Sequence, residues 1–225
     1  MTFSIVGHCG RTGMTGVAIT TSSICVASRC PWVRAEVGAV ATQNVTDPSL
    51  GPNVLDLMAS GMSAQQALDT ITQGREHIQY RQLTAVDSHG SVAHYTGTEI
   101  LGTNAVATGE HCVAAGNLLS NTDVPAAMCQ QFAASADLHL AERLLRALKA
   151  GVDAGGEEGP THSSGLKVAH QYSWPLVDLR VDWNDEDPVA ELFEIWHAYE
   201  KQMDDYTTRA VDPSAAPSYG VPGDE

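Results

Sequence analysis

The chain has 225 residues, of which 43% are hydrophobic, so it is long enough and apolar enough to bury the core of one globular domain. It carries 27 acidic against 12 basic residues, a formal net charge of −15. That charge argues against nucleic acids and anionic membranes as partners. No stretch approaches the roughly 18 apolar residues of a membrane-spanning helix. The first residues also lack the charged segment and apolar core of a signal peptide.

The five cysteines lie mostly in apolar segments, and none is spaced as CxxC. This pattern is typical of reduced, buried thiols rather than of a disulfide framework, so we expect a cytoplasmic protein. Cys25 and Cys30 would form a redox pair only with unusual geometry. No two histidines show HxH or HExxH spacing, and no glycine-rich phosphate loop is present. We therefore expect neither a metal nor a cofactor.

The first half of the chain predicts four strands and then two helices. The strands are short apolar segments separated by turn residues: Phe3–Val6, Gly16–Thr20, Ile24–Ala27 and Val37–Thr42. The first helix is Asn53–Ser60. A second helix starts after Ser63, with Gln66 three residues on completing a capping box.

The second half predicts a hairpin, two further strands, two helices, two strands and a last helix. The hairpin strands are Gln82–Val86 and Ser91–Tyr95, and the two strands after them are Ala105–Thr108 and Cys112–Ala115. The two helices are Val124–Phe132 and Leu138–Ala150. The last two strands are Gly165–Ala169 and Leu176–Val181, and the last helix starts at Asp187 and Pro188. The strands come in antiparallel-looking runs instead of alternating with helices, which argues against a doubly wound parallel sheet.

This order predicts an α+β fold, a four-layer α-β-β-α sandwich in which two stacked, mainly antiparallel sheets lie between helices. We assign residues 1–203 to a single domain. From Asp204 the chain turns to Thr, Asp, Pro, Ser and Gly, and we predict a disordered acidic tail over residues 204–225.

Thr2 follows the first methionine and directly precedes a predicted buried strand. Removal of Met1 is expected when residue 2 is small, and it would leave Thr2 with a free α-amine and a hydroxyl. An α-amine has a pKa of roughly 7.7–8.0, so it can take the hydroxyl proton near neutral pH. An N-terminal threonine can therefore serve as a nucleophile. The alternative is an ordinary first strand that happens to follow a threonine.

Several stretches together resemble the bacterial and archaeal family catalogued as domain of unknown function 1028. They are Thr2–Val6, Gly38–Gln43, Leu50–Pro52, Arg81–Gln82, Tyr95–Gly97, Gly116–Leu119, Leu140–Leu145, Ala154–Gly156 and Val177–Val181. The resemblance implies an N-terminal-nucleophile-hydrolase-like fold, whose usual form is the same four-layer sandwich. The activity of the family is not established. Some members carry a C-terminal peptidoglycan-binding domain, which suggests amide hydrolysis, although we expect no such domain within these 225 residues.

Two departures from the family pattern bear on the substrate. The family usually has an acidic residue near position 9, where this chain has Cys9. After Gly155-Gly156 the family runs through basic residues to a Gln-Ser pair, whereas this chain reads Glu157–Ser163. Those basic residues would matter if they held an anionic group of the substrate.

Given the fold that the resemblance implies, Thr2 becomes a stronger candidate nucleophile, with Asn117 and Arg29 as further catalytic candidates. Asn117 lies in a predicted turn after a buried strand, where its side-chain amide or backbone N–H would line an oxyanion hole. Arg29 follows a predicted strand in the region where such hydrolases often place a basic residue. It would keep the α-amine neutral or bind a carboxylate. Plain turn chemistry for Asn117 and a surface turn for Arg29 are the alternatives.

Four other residues are candidates for binding the substrate. Gln43 and Asn44 end a predicted strand and would hydrogen-bond the substrate, or else they have a structural role. Asp178 and Arg180 alternate along one predicted strand and so share a face. They would form an ion pair that orders the site, or simply a pair on the surface of the sheet.

Two functions follow from these observations. The first is an amidohydrolase that uses a processed N-terminal threonine to cleave a small amide or peptide-like bond through an acyl-enzyme. The second is a non-catalytic binding or assembly protein on the same sandwich, which the acidic Glu157-Glu158 pair and Cys9 favour slightly. Sandwiches of this kind often associate, so a homo-oligomer is a reasonable expectation.

Overall fold

In the computed structural model, which describes residues 1–223, ten strands form two antiparallel sheets. Sheet one has the order β10-β9-β2-β1-β8-β7, and sheet two has the order β3-β4-β5-β6. The strands are β1 (Thr2–His8), β2 (Thr15–Thr21), β3 (Pro31–Arg34), β4 (Gly38–Asn44), β5 (Arg81–Asp87), β6 (Val92–Thr96), β7 (Ala105–Gly109), β8 (Cys112–Asn117), β9 (Ser163–Ala169) and β10 (Val177–Val181).

Helices cover the outer face of each sheet. The helices are α1 (Leu50–Ala59), α2 (Ala64–Thr72), α3 (Val124–Ala134), α4 (Leu140–Asp153), α5 (Pro188–Glu200) and α6 (Met203–Val211). Helices α1 and α2 pack on sheet two, while α3, α4 and α5 pack on sheet one. The prediction of an α+β four-layer sandwich is therefore confirmed. No helix in the described chain is long and apolar enough to cross a membrane.

Strand β1 is an inner strand whose seven residues are all buried. Because side chains alternate along a strand, Phe3 and Ile5 pack under the helices of sheet one. The side chains of Thr2, Ser4 and Val6 point the other way, into the space between the sheets. Val6 packs there in a cluster made only of valine and alanine side chains at its buried centre. These small residues let the two sheets lie close together.

The structure confirms the two predicted helix starts at Ser63 and Asp187. The Ser63 hydroxyl accepts a hydrogen bond from the backbone N–H of Gln66, and the Gln66 side chain accepts one from the backbone N–H of Ser63, which completes the predicted capping box. Asp187 caps α5 by accepting hydrogen bonds from the backbone of Val189 and Ala190.

The predicted strand Ile24–Ala27 is wrong. Cys25 adopts a left-handed conformation (φ 56°), and Val26–Ser28 form one turn of 3₁₀-helix. The preceding strand β2 already pairs with β1 and β9, so no sheet edge is free beside it. The apolar Val26 and Ala27 are buried as part of this turn, and β3 follows it.

The predicted disordered tail is wrong over residues 204–211, which belong to α6. This helix packs through the buried Met203, and Tyr206 stacks on Tyr199 of α5. Beyond α6 the prediction of disorder stays a prediction, and Asp224 and Glu225 lie outside the described residues.

Candidate active site

Thr2 starts β1 and lies opposite Thr21 of β2 on one side and Asn117 of β8 on the other. Only 7% of Thr2 is exposed. Its hydroxyl oxygen is 3.0 Å from the hydroxyl oxygen of Thr21. Both hydroxyls also donate to the carbonyl oxygen of Met1. A peptide carbonyl thus already lies against the two threonine hydroxyls.

A chain of polar contacts leads from Thr2 to Arg29. The Thr21 hydroxyl is 3.3 Å from the Ser23 hydroxyl, and Arg29 Nη2 donates to Ser23 Oγ at 2.7 Å. Arg29 Nη1 donates to the carbonyl oxygens of Ile24 and Cys25, which fixes the guanidinium against the turn. The structure therefore links the predicted Arg29 to Thr2 through two hydroxyls.

Beside Thr2, side-chain amides from both sheets form a buried cluster. Gln82 Oε1 accepts from Gln43 Nε2 at 2.8 Å and from Asn117 Nδ2 at 3.3 Å. Ser4 Oγ donates to Gln43 Oε1 at 2.7 Å, and Gln82 Nε2 donates to the carbonyl oxygen of Gly116. This amide cluster brings the predicted Gln43 and Asn117 together. It also directs the N–H groups of both toward Gln82.

One oxygen of Asn117 remains without a partner. Asn117 is 1% exposed, and its Oδ1 forms no hydrogen bond with the described residues. A buried acceptor left unpaired costs free energy. The free atom of Asn117 is thus an acceptor, whereas the sequence prediction had given its side chain an oxyanion-hole donor.

Glu157 is a second buried acceptor at this end of β1. It is 7% exposed, its Oε2 accepts from the backbone N–H of Ser22 at 3.2 Å, and its Oε1 has no partner in the described chain. Burial raises the pKa of the Glu157 carboxyl to about 8, against the opposing effects of the Met1 α-amine and the Ser22 hydrogen bonds. A carboxyl that is partly protonated near neutral pH can either accept or donate a hydrogen bond. A cavity of about 240 Å³ opens beside Glu157 and Phe3.

The other predicted residues lie elsewhere or are otherwise engaged. Asn44 ends β4 at φ 75°, donates to the carbonyl oxygen of Tyr80 and accepts from the backbone of Leu101. Asp178 and Arg180 form a two-point ion pair at 3.1 Å on β10, the edge strand separated from β1 by β9 and β2. The structure therefore does not bring this pair to Thr2.

Five residues of this site were not among the sequence candidates: Ser4, Thr21, Ser23, Gln82 and Glu157. Gln82 starts a predicted strand and lies in one of the stretches that resemble the family, but neither observation could reveal a partner on another strand. Glu157 stood out only as an acidic departure from the family pattern, which gave no sign that its side chain is buried. Among residues 1–223, no group of three or more His, Cys, Asp or Glu side chains is arranged to hold a metal ion.

Comparison with known proteins identifies one solved structure of closely similar architecture. A crystal structure of a Silicibacter pomeroyi protein assigned to the DUF1028 family superposes with a TM-score of 0.81, at 32% identity over 88% of each chain. Anbu (ancestral beta-subunit) from Yersinia bercovieri aligns with a TM-score of 0.39 and 7% identity, over 90% of this chain and 96% of Anbu. None of the curated proteins matches this chain. Residues 2–192 match the family described as "Family of unknown function (DUF1028)", and the chain belongs to that family.

Proposed function

We propose that this protein is an amidohydrolase whose nucleophile is the hydroxyl of Thr2, exposed as the N-terminal residue when Met1 is removed. One observation carries the proposal: the Met1 carbonyl lies against the hydroxyls of Thr2 and Thr21, inside the sandwich. Once Met1 is removed, the carbonyl of a substrate amide would lie against the same two hydroxyls. The resemblance to N-terminal-nucleophile hydrolases and the four-layer order of the fold support the same assignment.

The reaction would proceed in two displacements. The neutral α-amine of Thr2 takes the proton of its own hydroxyl, and Oγ1 attacks the amide carbonyl carbon. The carbon–nitrogen bond breaks, and the α-ammonium gives its proton to the leaving amine. Water then attacks the resulting ester, with the α-amine again as base, and the carboxylic acid product leaves. No cofactor enters either step.

The surrounding groups would have distinct roles. The Thr21 hydroxyl donates to the developing oxyanion, as it now donates to the Met1 carbonyl. The unpaired oxygens of Asn117 and Glu157 accept hydrogen bonds from the α-amine or from the amide N–H of the substrate. Arg29 acts through Ser23 as a positioning residue.

The amide cluster would hold Asn117 in place, with Gln43 as the link to Ser4. We assign no step to Asn44, Asp178 or Arg180. We propose a small amide or peptide-like molecule as the substrate class. We place the reaction in the cytoplasm and expect a homo-oligomer.

The decisive experiment is the intact mass of protein expressed without an N-terminal tag, before and after a β-lactone probe. We expect a mass that lacks Met1 and a single adduct that maps to Thr2. Thr2→Ala should lose the adduct while Thr2→Ser keeps it, because serine retains the hydroxyl. Thr108→Ala is the matched control, since Thr108 is exposed on β7 and should not affect labelling.

A mass that retains Met1 would overturn the proposal. A processed terminus that gives no adduct with several amide-reactive probes would do the same. Either outcome would favour a non-catalytic binding or assembly protein on the same fold.

A further inference from the structure

A second cavity lies at the opposite end of β1, where the strand ends at His8. Its volume is about 350 Å³, and its polar lining includes His8, Cys9, Arg11, His111 and Arg143. We call it the His8 cavity. It shares none of the residues assigned to the Thr2 site, so what it binds is independent of the proposed hydrolysis.

Arg143 is the most unusual residue of this cavity. The side chain projects from α4 and is only 7% exposed. Its Nη2 donates to the carbonyl oxygen of Phe132 at 3.1 Å, and its guanidinium carbon lies 3.9 Å from the centre of the Phe132 ring. Its Nε has no hydrogen-bond partner among residues 1–223. A buried charge is normally paired, because removal from water is costly.

No carboxylate of the described residues pairs with Arg143. Two acidic residues line the His8 cavity, Glu110 and Asp137, and both are exposed. Water and salt screen such exposed charges from a buried guanidinium. The inner wall of the cavity therefore carries one uncompensated positive charge.

His8 is a second buried polar side chain that lines this cavity. It is 6% exposed, and its Nδ1 forms no hydrogen bond in the described chain. Its ring meets the edge of the His111 ring, with centroids 5.5 Å apart. Burial and the neighbouring His111 lower the pKa of His8, although the carboxylate of Asp87 opposes them. His8 is thus a neutral imidazole at pH 7, able to donate one N–H without adding charge.

We propose that the His8 cavity binds a small monocarboxylate, anchored by the guanidinium of Arg143 and by the imidazole of His8. A planar carboxylate matches the two-point geometry of a guanidinium. One negative charge balances the single buried positive charge of Arg143. Ala133 and Ala136 line the remaining wall and leave room for a short aliphatic chain.

Cys9 offers a direct test because its side chain lines the same cavity as Arg143 and is affected by the charge of Arg143. Burial acts to raise the pKa of the Cys9 thiol, but hydrogen bonds from Thr12 and the charge of Arg143 bring it below its usual value. Cys9→Asp would therefore place an internal carboxylate beside Arg143 and occupy the site from within. Cys9→Asn has the same shape as Cys9→Asp without the charge, which makes it the matched control.

The experiment compares thermal unfolding in sodium acetate and in sodium chloride at equal ionic strength, with acetate binding followed by ligand-observed NMR. An approximately tenfold excess of acetate over its Kd should raise Tm by roughly 3–6 °C. We expect Cys9→Asn to retain this shift. Cys9→Asp and Arg143→Met should lose it, with acetate affinity at least tenfold weaker. If Arg143→Met fails to fold, the Cys9 pair alone decides the question.

Three results would overturn the proposal: no acetate-specific shift in the wild type, the same shift in Cys9→Asp as in Cys9→Asn, or an Arg143-dependent shift that is larger with inorganic phosphate. Thr2→Ala should keep the acetate shift unchanged. The proposal for the His8 cavity and the proposal for the Thr2 site can therefore be overturned independently of each other.

Discussion

The two ends of β1 differ in which of their buried polar atoms lack a hydrogen-bond partner. At the Thr2 end, hydroxyls and side-chain amides from both sheets bond to one another, and the buried atoms left over are the acceptors of Asn117 and Glu157. At the His8 end, the buried groups left over are an imidazole nitrogen of His8 and the Nε of Arg143. One end thus suits a ligand that donates N–H groups, and the other suits an anion.

The two ends also respond to pH with opposite signs. Glu157 has a raised pKa, so the folded protein holds a proton there that the unfolded chain releases, and stability falls as pH rises. His8 has a lowered pKa, so the unfolded chain takes up a proton first, and stability falls as pH drops below about 6.5. Glu157 therefore contributes most to stability at low pH, whereas His8 contributes most above about pH 6.5.

The largest effect is expected from Gln82→Leu, which breaks the amide cluster at its centre. The substitution removes the acceptor shared by Gln43 and Asn117 and the donor to Gly116. Because buried polar groups left unpaired are costly, we expect the free energy of unfolding to fall by about 3–5 kcal/mol. Urea denaturation measures the loss.

The control for this prediction is Gln65→Leu, on the exposed face of α2. That change should cost less than about 0.5 kcal/mol. Equal midpoints for Gln82→Leu and Gln65→Leu would show that the cluster contributes no stability, and the contrast between the two ends of β1 would lose its basis.

The layered fold could be predicted from the sequence because its signals are local. The buried first strand, the capping box at Ser63 and the apolar stripe of α4 each depend on residues a few positions apart. The segment Ile24–Ala27 shows the limit of that reasoning. Its apolar composition fits a strand, but whether a strand forms depends on a free sheet edge, and both edges of β2 are occupied.

The candidate site could be predicted only in part, for a related reason. Thr2, Gln43 and Asn117 carry recognisable chemistry at strand ends, and the structure brings them together. Gln82 and Thr21 owe their roles to partners on other strands, which no spacing in the sequence reveals. Glu157 is buried because its backbone bridges to Leu119 and its side chain caps Ser22, both distant in sequence.

A smaller effect is expected from Glu157→Gln, which tests the pH contrast. The raised pKa of about 8 means that stability is lost as pH rises from near the usual value of 4.5 toward 8. Glutamine carries no charge, so the variant should lack this slope. At pH 8 it should be more stable than the wild type by about 3–4 kcal/mol.

Denaturant unfolding at pH 5 and pH 8, with Met1 retained in all samples, measures the slope. Glu158→Gln removes the adjacent carboxylate, which is exposed, and should leave the slope unchanged. Identical slopes for the wild type and Glu157→Gln would mean that Glu157 is ionised in the folded protein.

The smallest effect is expected from Arg180→Ala, which tests whether the edge strand β10 of sheet one belongs to the Thr2 site. Arg180 pairs with Asp178 on the exposed face of β10, and such surface ion pairs contribute about 0–1 kcal/mol. We expect a change in unfolding free energy below about 0.5 kcal/mol and no change in the rate at which the β-lactone labels Thr2. Arg29→Ala, which removes the contact to Ser23, should slow labelling in the same assay. If both variants slowed labelling equally, the substrate would have to extend across β2 and β9 to the edge strand, and the site would be larger than the end of β1.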